Sequence, residues 1–378
     1  MARASFARGL GFSVMDASKG GRSWFTPLMA TASQAIIERF PLVDYILEIR
    51  DSRVPFSSKY QNSQHIPSKS RHLVVLNKKD LASPSQTQNW MRHFEGQNYN
   101  CCGLNAHNKD DITKLLNFIQ AQVSKMNVDR SKPTATIMVV GIPNVGKSAI
   151  VNSLHQIGRI SSTEKGKLKH TIVSPHPGET KDIGSFKIAS KPNIFVLDTP
   201  GVLVPEVLNI EMCSNLALTG AIEDSLAGEY QIAKYFLAIL NSSEEYRHWK
   251  NLKAQEDNNG PSQNHLLGRD SDSAEPGRKK RQYPTDHTQD FIVKDVRRVL
   301  YNTISTFQGN LEHESQMMRL IESQLLALLE AFRIPPDSGN DKLHRVSTKL
   351  INLYRTGRLG HYTLETPLPT RDQHTIVI

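Results

Sequence analysis

The stretch that most constrains this chain is GIPNVGKS, residues 141–148. It sits between the apolar run TATIMVV (134–140) and the helix-spaced KSAIVNSLHQI (147–157). Glycines at 141 and 146 let the backbone wrap until its N–H groups face inward, and a strand on one side with a helix N-terminus on the other completes an anion cradle. A strand that feeds such a loop needs a sheet around it. Further apolar runs supply one: VDYILEIRDSR (43–53), HLVVLNKKD (72–80), more weakly NYNCCGLNAH (98–107), and a strand, turn and strand in SFKIASKPNIFVLDTPG (185–201). DDITKLLNFIQAQVSKM (110–126) carries helical spacing between them. Strands alternating with helices predict an α/β fold with a mainly parallel sheet.

The loops carry the chemistry. In GIPNVGKS, Lys147 places an ammonium on β- and γ-phosphate oxygens, and the Ser148 hydroxyl is a hard oxygen ligand suited to Mg²⁺. DTPG (198–201) follows the run NIFVL, so Asp198 can hold the Mg²⁺ shell and the Gly201 N–H can meet a γ-phosphate. Thr180, in PGETKD (177–182), is the expected first-switch residue, with its hydroxyl on Mg²⁺. NKKD (77–80) reads a base. The Asp80 carboxylate accepts from the guanine N1–H and its amino group, a pair that adenine lacks. Asn77 braces the loops and the stem of Lys78 covers the base face. Asn105-Ala106, in LNAH, is the expected loop whose backbone N–H meets guanine O6. Lys79, Asn144, Val145, Gly146 and Ala149 complete the expected nucleotide-contacting set. The expected ligands are GTP or GDP with Mg²⁺.

These motifs come in an unusual order: base reader, base loop, phosphate loop, first switch, second switch. That is a circular permutation of the usual GTPase order. A permutation preserves a fold when the original termini lie close together. It also leads the chain from the second switch almost directly into a helical region.

Residues 24–205 are expected to form the permuted P-loop GTPase domain. A smaller α-helical domain succeeds it over 206–378, with helical spacing in 206–240, 290–307, 311–332 and 340–356. Residues 242–286, rich in Ser, Asn, Asp, Gly and Lys, are expected to be a disordered insertion. Its run GRKKRQ (277–282) reads first as a solvated segment, with a nuclear signal or an RNA contact as the other readings. Residues 1–23 hold Arg3, Arg8, Lys19 and Arg22 against the single acid Asp16, which fits a mitochondrial transit peptide. The net charge of +9 points to an anionic partner, most simply nucleic acid, although a basic organellar protein has the same balance. Three cysteines without metal-ligand spacing argue against a disulfide scaffold, and no apolar run approaches a membrane span.

On these motifs the chain resembles the circularly permuted ribosome-assembly GTPases of the mitochondrial and bacterial large-subunit group, whose plant members are the DAR GTPases. DSRVPFSS (51–58) matches the Asp-Ala-Arg segment with Ser52 in place of alanine, and LALTGAI (216–222) and YRTGRLGHYTLE (354–365) are also similar. The resemblance implies GTP hydrolysis and binding to the precursor of the large ribosomal subunit and its rRNA. It implies a monomer in the mitochondrial matrix, with peripheral contact to the inner membrane as a further expectation. Lys147, Thr180, Gly201 and Asn144 are the expected catalytic residues. Two departures stand out. Val202 occupies the place of the water-orienting glutamine, and Leu28, in WFTPLM (24–29), occupies the place of the group's histidine. Asn144 resembles the phosphate-loop asparagine of potassium-activated GTPases, which implies K⁺ near the transferred phosphate; it equally suits the loop's turn. A GTP-gated RNA-binding scaffold with negligible turnover, or a nucleolar or cytosolic permuted GTPase, are the competing readings. Arg345, Lys349, Arg355 and Arg358 are expected to share one basic face for RNA phosphates.

Overall fold

The computed structural model describes residues 2–19, 24–66, 68–127, 134–162, 183–204, 208–250, 287–335 and 341–367. The chain divides into two compact units. The larger runs from Ala4 to Tyr235 and takes in the chain again from His361; the smaller holds Phe236–Gly360 with Met1–Arg3.

Six strands form the sheet of the larger unit: β1 (Tyr45–Asp51), β2 (His72–Asn77), β3 (Asn100–Gly103), β4 (Thr134–Val140), β5 (Gly184–Ser190) and β6 (Asn193–Asp198). Their order across the sheet is β3-β2-β1-β4-β6-β5. All neighbours pair in parallel except the β5–β6 hairpin, which is antiparallel. From β1 the chain steps outward through β2 to β3, then returns to β4 on the other side of β1. The direction of winding reverses between β1 and β4, and that reversal is where an open parallel sheet offers a ligand crevice. The permuted motif order and the parallel sheet expected from sequence are both present.

In register, Ile46, Glu48 and Arg50 lie on the same face as Val74, Leu76, Met138 and Val140. Helices α2 (Pro27–Arg39) and α3 (Pro84–Gly96) cover this face. Ile36 and Phe40 pack with Ile46, Met138 and Val140, while Trp90 and Phe94 pack on Val74 and Leu76. Helices α4 (Lys109–Asn127) and α5 (Lys147–Ser162) pack against each other, and α5 also packs on β4, β5 and β6. Every residue of β1 is buried, including Glu48, Arg50 and Asp51. A charge there needs partners. Glu48 accepts from Arg50 Nε at 2.7 Å and from the Tyr60 N–H at 2.8 Å, and its other oxygen lies 2.9 Å from His72 Nε2.

Three boundaries differ from the sequence expectation. The first concerns residues 1–23. Helix α1 (Ala2–Lys19) is part of the fold, with Phe6, Leu10 and Val14 buried at four-residue spacing. Gly11 lies so close to Ile210 that a Cβ would stand 2.2 Å from its carbonyl oxygen, and Ser214 donates its hydroxyl to the Ala7 carbonyl. The second is the domain break, expected at 205/206. It falls at 235/236, because α6 (Ile210–Thr219), α7 (Asp224–Ala227) and the start of α8 (Glu229–Asn241) belong to the larger unit. The third is the insertion. Residues 245–250 form a 3-10 turn with Trp249 buried, so the expected segment is ordered at its start. Residues 251–286, with GRKKRQ, lie outside the described residues.

In the smaller unit, helices Asp290–Thr306, Glu314–Ala331 and Lys342–Arg355 match the expected spacing. Each buries one stripe, such as Ile292, Val296, Leu300 and Ile304 in the first. Asn241 and Gln324 exchange two amide hydrogen bonds, at 3.0 and 2.8 Å, which satisfies both buried side chains.

Candidate functional site

Five loops leave the carboxyl ends of the five parallel strands. In sheet order they hold Asn105-Ala106, NKKD, DSR (51–53), GIPNVGKS and DTPG. Permutation has therefore changed the order along the chain and left the order in space intact.

Asn77 ties three of these loops together. Its Nδ2 donates to the Val145 carbonyl at 2.8 Å, and its Oδ1 accepts from the Ala106 N–H at 3.1 Å. Gly146 permits that closeness. A Cβ there would stand 2.3 Å from Asn77 Nδ2, and its φ of +95° is one that side chains strain to adopt. Gly141, at φ +154°, would place a Cβ 2.5 Å from the Ile49 carbonyl oxygen. At the second switch a Cβ on Gly201 would meet the backbone of Pro143 at 2.7 Å. The phosphate loop is thus pressed between the base reader and the second switch, with glycine at each contact.

Charge is arranged around this cradle. Lys147 is buried and donates to the Ile142 carbonyl at 2.8 Å. Burial pulls its ammonium down to about 8, and Asp198 offsets only part of that. An anionic phosphate beside it would push it up again. Ser148 Oγ donates to Asp198 Oδ2 at 2.7 Å. A hydroxyl and a carboxylate so placed are hard oxygen donors that fit Mg²⁺. Lys78, at φ +59°, reaches back with its ammonium to the Asn144 carbonyl at 2.5 Å and to Asp51 Oδ2 at 2.9 Å. Its ammonium consequently bridges the phosphate loop and the loop after β1. Lys79 instead pairs with Asp111 at 2.7 Å, whose other oxygen accepts from the Asn105 N–H at 2.9 Å.

Several expectations change. Asp80 is exposed, so only a bound base would cover its carboxylate. The Ala106 N–H, expected on guanine O6, already donates to Asn77, so an O6 contact shares or exchanges that bond. Asn144 has a φ of +60°, and its amide donates to the Gly220 carbonyl at 2.7 Å, which ties the phosphate loop to the end of α6. Val202 stands at the place of the water-orienting glutamine. It is buried among Ile36, Phe40 and Met138 and belongs to the core. Leu28 is 65% exposed, while Trp24 of the same segment donates its indole N–H to the Leu203 carbonyl just after the second switch. Thr180 lies outside the described residues. Val145 is buried in the loop and Ala149 is half-buried in the first turn of α5.

Sequence reasoning gave no role to Asp51, Arg53 or Asp111. Asp51 accepts from Arg53 Nε at 2.9 Å and Nη2 at 2.7 Å, both side chains being buried. Burial pushes its carboxyl up, but Arg53 and Lys78 outweigh that and hold it well below the usual carboxylate range. The signal was there: an acid two residues before an arginine, at the end of an apolar run. In the smaller unit the expected basic face is also altered. The helix ends at Arg355, and Arg358 lies beyond it, paired with Asp290 at 2.8 Å. Lys349 turns onto Phe332, donating to its carbonyl at 3.4 Å.

The family model described as "50S ribosome-binding GTPase" matches residues 136–261, a third of the chain. "DAR GTPase 2, mitochondrial" of Arabidopsis thaliana is 52% identical over 95% of this chain and 94% of its own length. "Short integuments 2, mitochondrial" of the same plant is 41% identical over 94% and 92%. "Mitochondrial ribosome-associated GTPase 1" of Mus musculus is 34% identical over 58% of this chain and 66% of its own length. With the cradle, the base reader and the permuted strand order in place, the chain belongs to the family of circularly permuted GTPases that holds the plant DAR GTPases and their mitochondrial relatives.

Proposed function

We propose that the chain binds GTP with Mg²⁺, hydrolyses it to GDP and phosphate, and uses its nucleotide state to gate binding to the precursor of the mitochondrial large ribosomal subunit and its rRNA. The observation that carries the nucleotide reading is Asn77, which locks the base reader to the phosphate loop and the base loop. The relatives' names supply the ribosomal and mitochondrial setting.

In this reading the inward backbone of residues 141–147 and the Lys147 ammonium hold the phosphates. Asp80 selects guanine. Ser148, Asp198 and Thr180 would hold Mg²⁺, which would supply charge neutralisation at the phosphates. Gly201 presents its N–H to the γ-phosphate and loses that contact after hydrolysis. Asn144 is proposed to place K⁺ near the transferred phosphate through its amide oxygen, and replacing K⁺ by Na⁺ in a turnover assay tests it. The protein is proposed to act as a monomer in the mitochondrial matrix, at most peripheral to the inner membrane; no described helix is long and apolar enough to cross one. Arg355 and Arg358 are proposed to contact rRNA phosphates, and their joint change to Ala should flatten the salt dependence of particle binding.

Val202 in the core and an exposed Leu28 favour a second reading, a GTP-gated scaffold with negligible turnover. Single-turnover hydrolysis with and without large-subunit particles separates the two. Gating itself is tested by Lys147→Ala, which should abolish nucleotide-dependent recovery of large-subunit particles from a mitochondrial extract. Recovery equal to wild type would overturn the gating.

A further inference from the structure

After the helical unit the chain returns to the larger unit as a short segment without regular structure, residues 361–367. Residues 362–365 are each pinned. The Tyr362 N–H donates to the Leu81 carbonyl at 3.3 Å, just past the base reader. Thr363 Oγ1 accepts from the Ser83 N–H at 3.2 Å, and the Leu364 N–H donates to the Arg53 carbonyl at 2.8 Å. The Glu365 carbonyl accepts from the Trp90 indole at 3.1 Å.

Four donors then converge on the Glu365 carboxylate: the Phe56 N–H at 2.7 Å, the Ser57 N–H at 3.1 Å, the Ser57 hydroxyl and Asn215 Nδ2 at 3.1 Å. Phe56 and Ser57 belong to the loop that begins with Asp51 and Arg53. Asn215 sits in the middle of α6, and its own Oδ1 accepts from the Tyr235 hydroxyl at 2.9 Å. Helix α6 comes directly after the second switch. Its far end is held from the phosphate loop, through Asn144 on the Gly220 carbonyl. One carboxylate thus joins the loop after β1, the helix after the second switch, and the segment on which the chain leaves the helical unit. Burial pushes the Glu365 carboxyl up, and these donors offset only part of that. A surface glutamate that only needed solvation would not collect two backbone amides, a hydroxyl and a carboxamide.

We propose that Glu365 is a positioning residue: it locks α6 to the loop after β1 and to segment 361–367, so that a shift of the second switch reaches the helical unit through the chain that leaves it as well as through α8. This rests on the reading that nucleotide state moves the second switch. Glu365 touches neither nucleotide nor Mg²⁺ and has no part in the chemistry.

Hydrogen exchange on the full chain, with GDP·Mg²⁺ or a slowly hydrolysed GTP analogue bound, tests the lock in wild type, Glu365→Gln and Glu365→Ala. In wild type, peptides covering α6, residues 54–58 and residues 361–367 should change protection together between the two nucleotides. In Glu365→Gln, which keeps the shape and one acceptor, the amides of residues 56 and 57 should exchange about tenfold faster or more. Segment 361–367 should then stop tracking α6, while GDP affinity stays within about twofold because the site is remote from the change. Glu365→Ala should exaggerate the same pattern. Unchanged protection at 56 and 57 in Glu365→Gln, or a segment 361–367 that still tracks α6, would overturn the proposal. A wild-type α6 that ignores the nucleotide would instead refute the gating reading, and protection at 56 and 57 would still decide whether Glu365 holds the junction.

Discussion

Changing Asp51 to alanine probes the charge cluster that sequence reasoning missed. The Asp51 carboxylate takes two hydrogen bonds from Arg53, at 2.9 and 2.7 Å, and lies 2.9 Å from the Lys78 ammonium. Asp51 and Arg53 are 2% and 1% exposed, so water cannot replace the lost partner. Removing one side of a buried pair costs about 3–5 kcal/mol, mostly from the charge left behind. Against a typical total of about 5–15 kcal/mol that is a large fraction of the stability. Urea unfolding of the full chain should show the loss as a lower midpoint at constant slope. The double variant Asp51→Ala/Arg53→Leu should recover part of it, because the buried guanidinium goes too. The sign with pH is fixed as well. The folded carboxyl is held below its unfolded value of about 3.9, so its contribution is complete above that value and is lost as pH falls through the folded value. Wild type should therefore lose stability on acidification more steeply than Asp51→Ala. A cost below about 1 kcal/mol, the range of exposed pairs, would refute the argument, as would a double variant no better than the single one.

Asp80→Asn should cost about 1.5–3 kcal/mol of GTP affinity and admit xanthosine nucleotides, because it swaps two acceptors for a donor and an acceptor; competition titration with both nucleotides checks it. Gly146→Ala should weaken GDP binding by about tenfold or more, since the strained φ costs about 1–3 kcal/mol and the new Cβ meets Asn77; a fluorescent GDP titration within twofold of wild type would contradict the packing. Gly11→Leu should lift α1 from α6, exposing Phe6, Leu10 and Val14 at up to about 1.5–3 kcal/mol each. Limited proteolysis should then cut within residues 2–19 faster than in wild type.

Local sequence was enough to determine the strands, most of the helices and the phosphate and base motifs. Each is written in a short window: an apolar run, a glycine pair, a lysine, an acid. The order of the motifs along the chain also determined the permutation, since order needs no coordinates. Other features rest on what lies far away in sequence. Val202 looked like a missing catalytic group because its neighbours in sequence are the second switch; its neighbours in space are Ile36, Phe40 and Met138. Composition records charge and spacing, which is enough to read residues 1–23 as an address and too little to show that α1 packs. The complementary surface is on α6, some two hundred residues away, where Gly11 meets Ile210 and Ser214 meets Ala7. Asp51 became the anchor of Lys78, and Asp111 that of Lys79, only when parallel strands brought the ends of β1, β2 and β3 side by side. Backbone propensity and motif chemistry act over a few residues, so one window determines them. Burial and ion pairing depend on distances that the chain sets only by folding, so the partners of these side chains were decided by the tertiary structure.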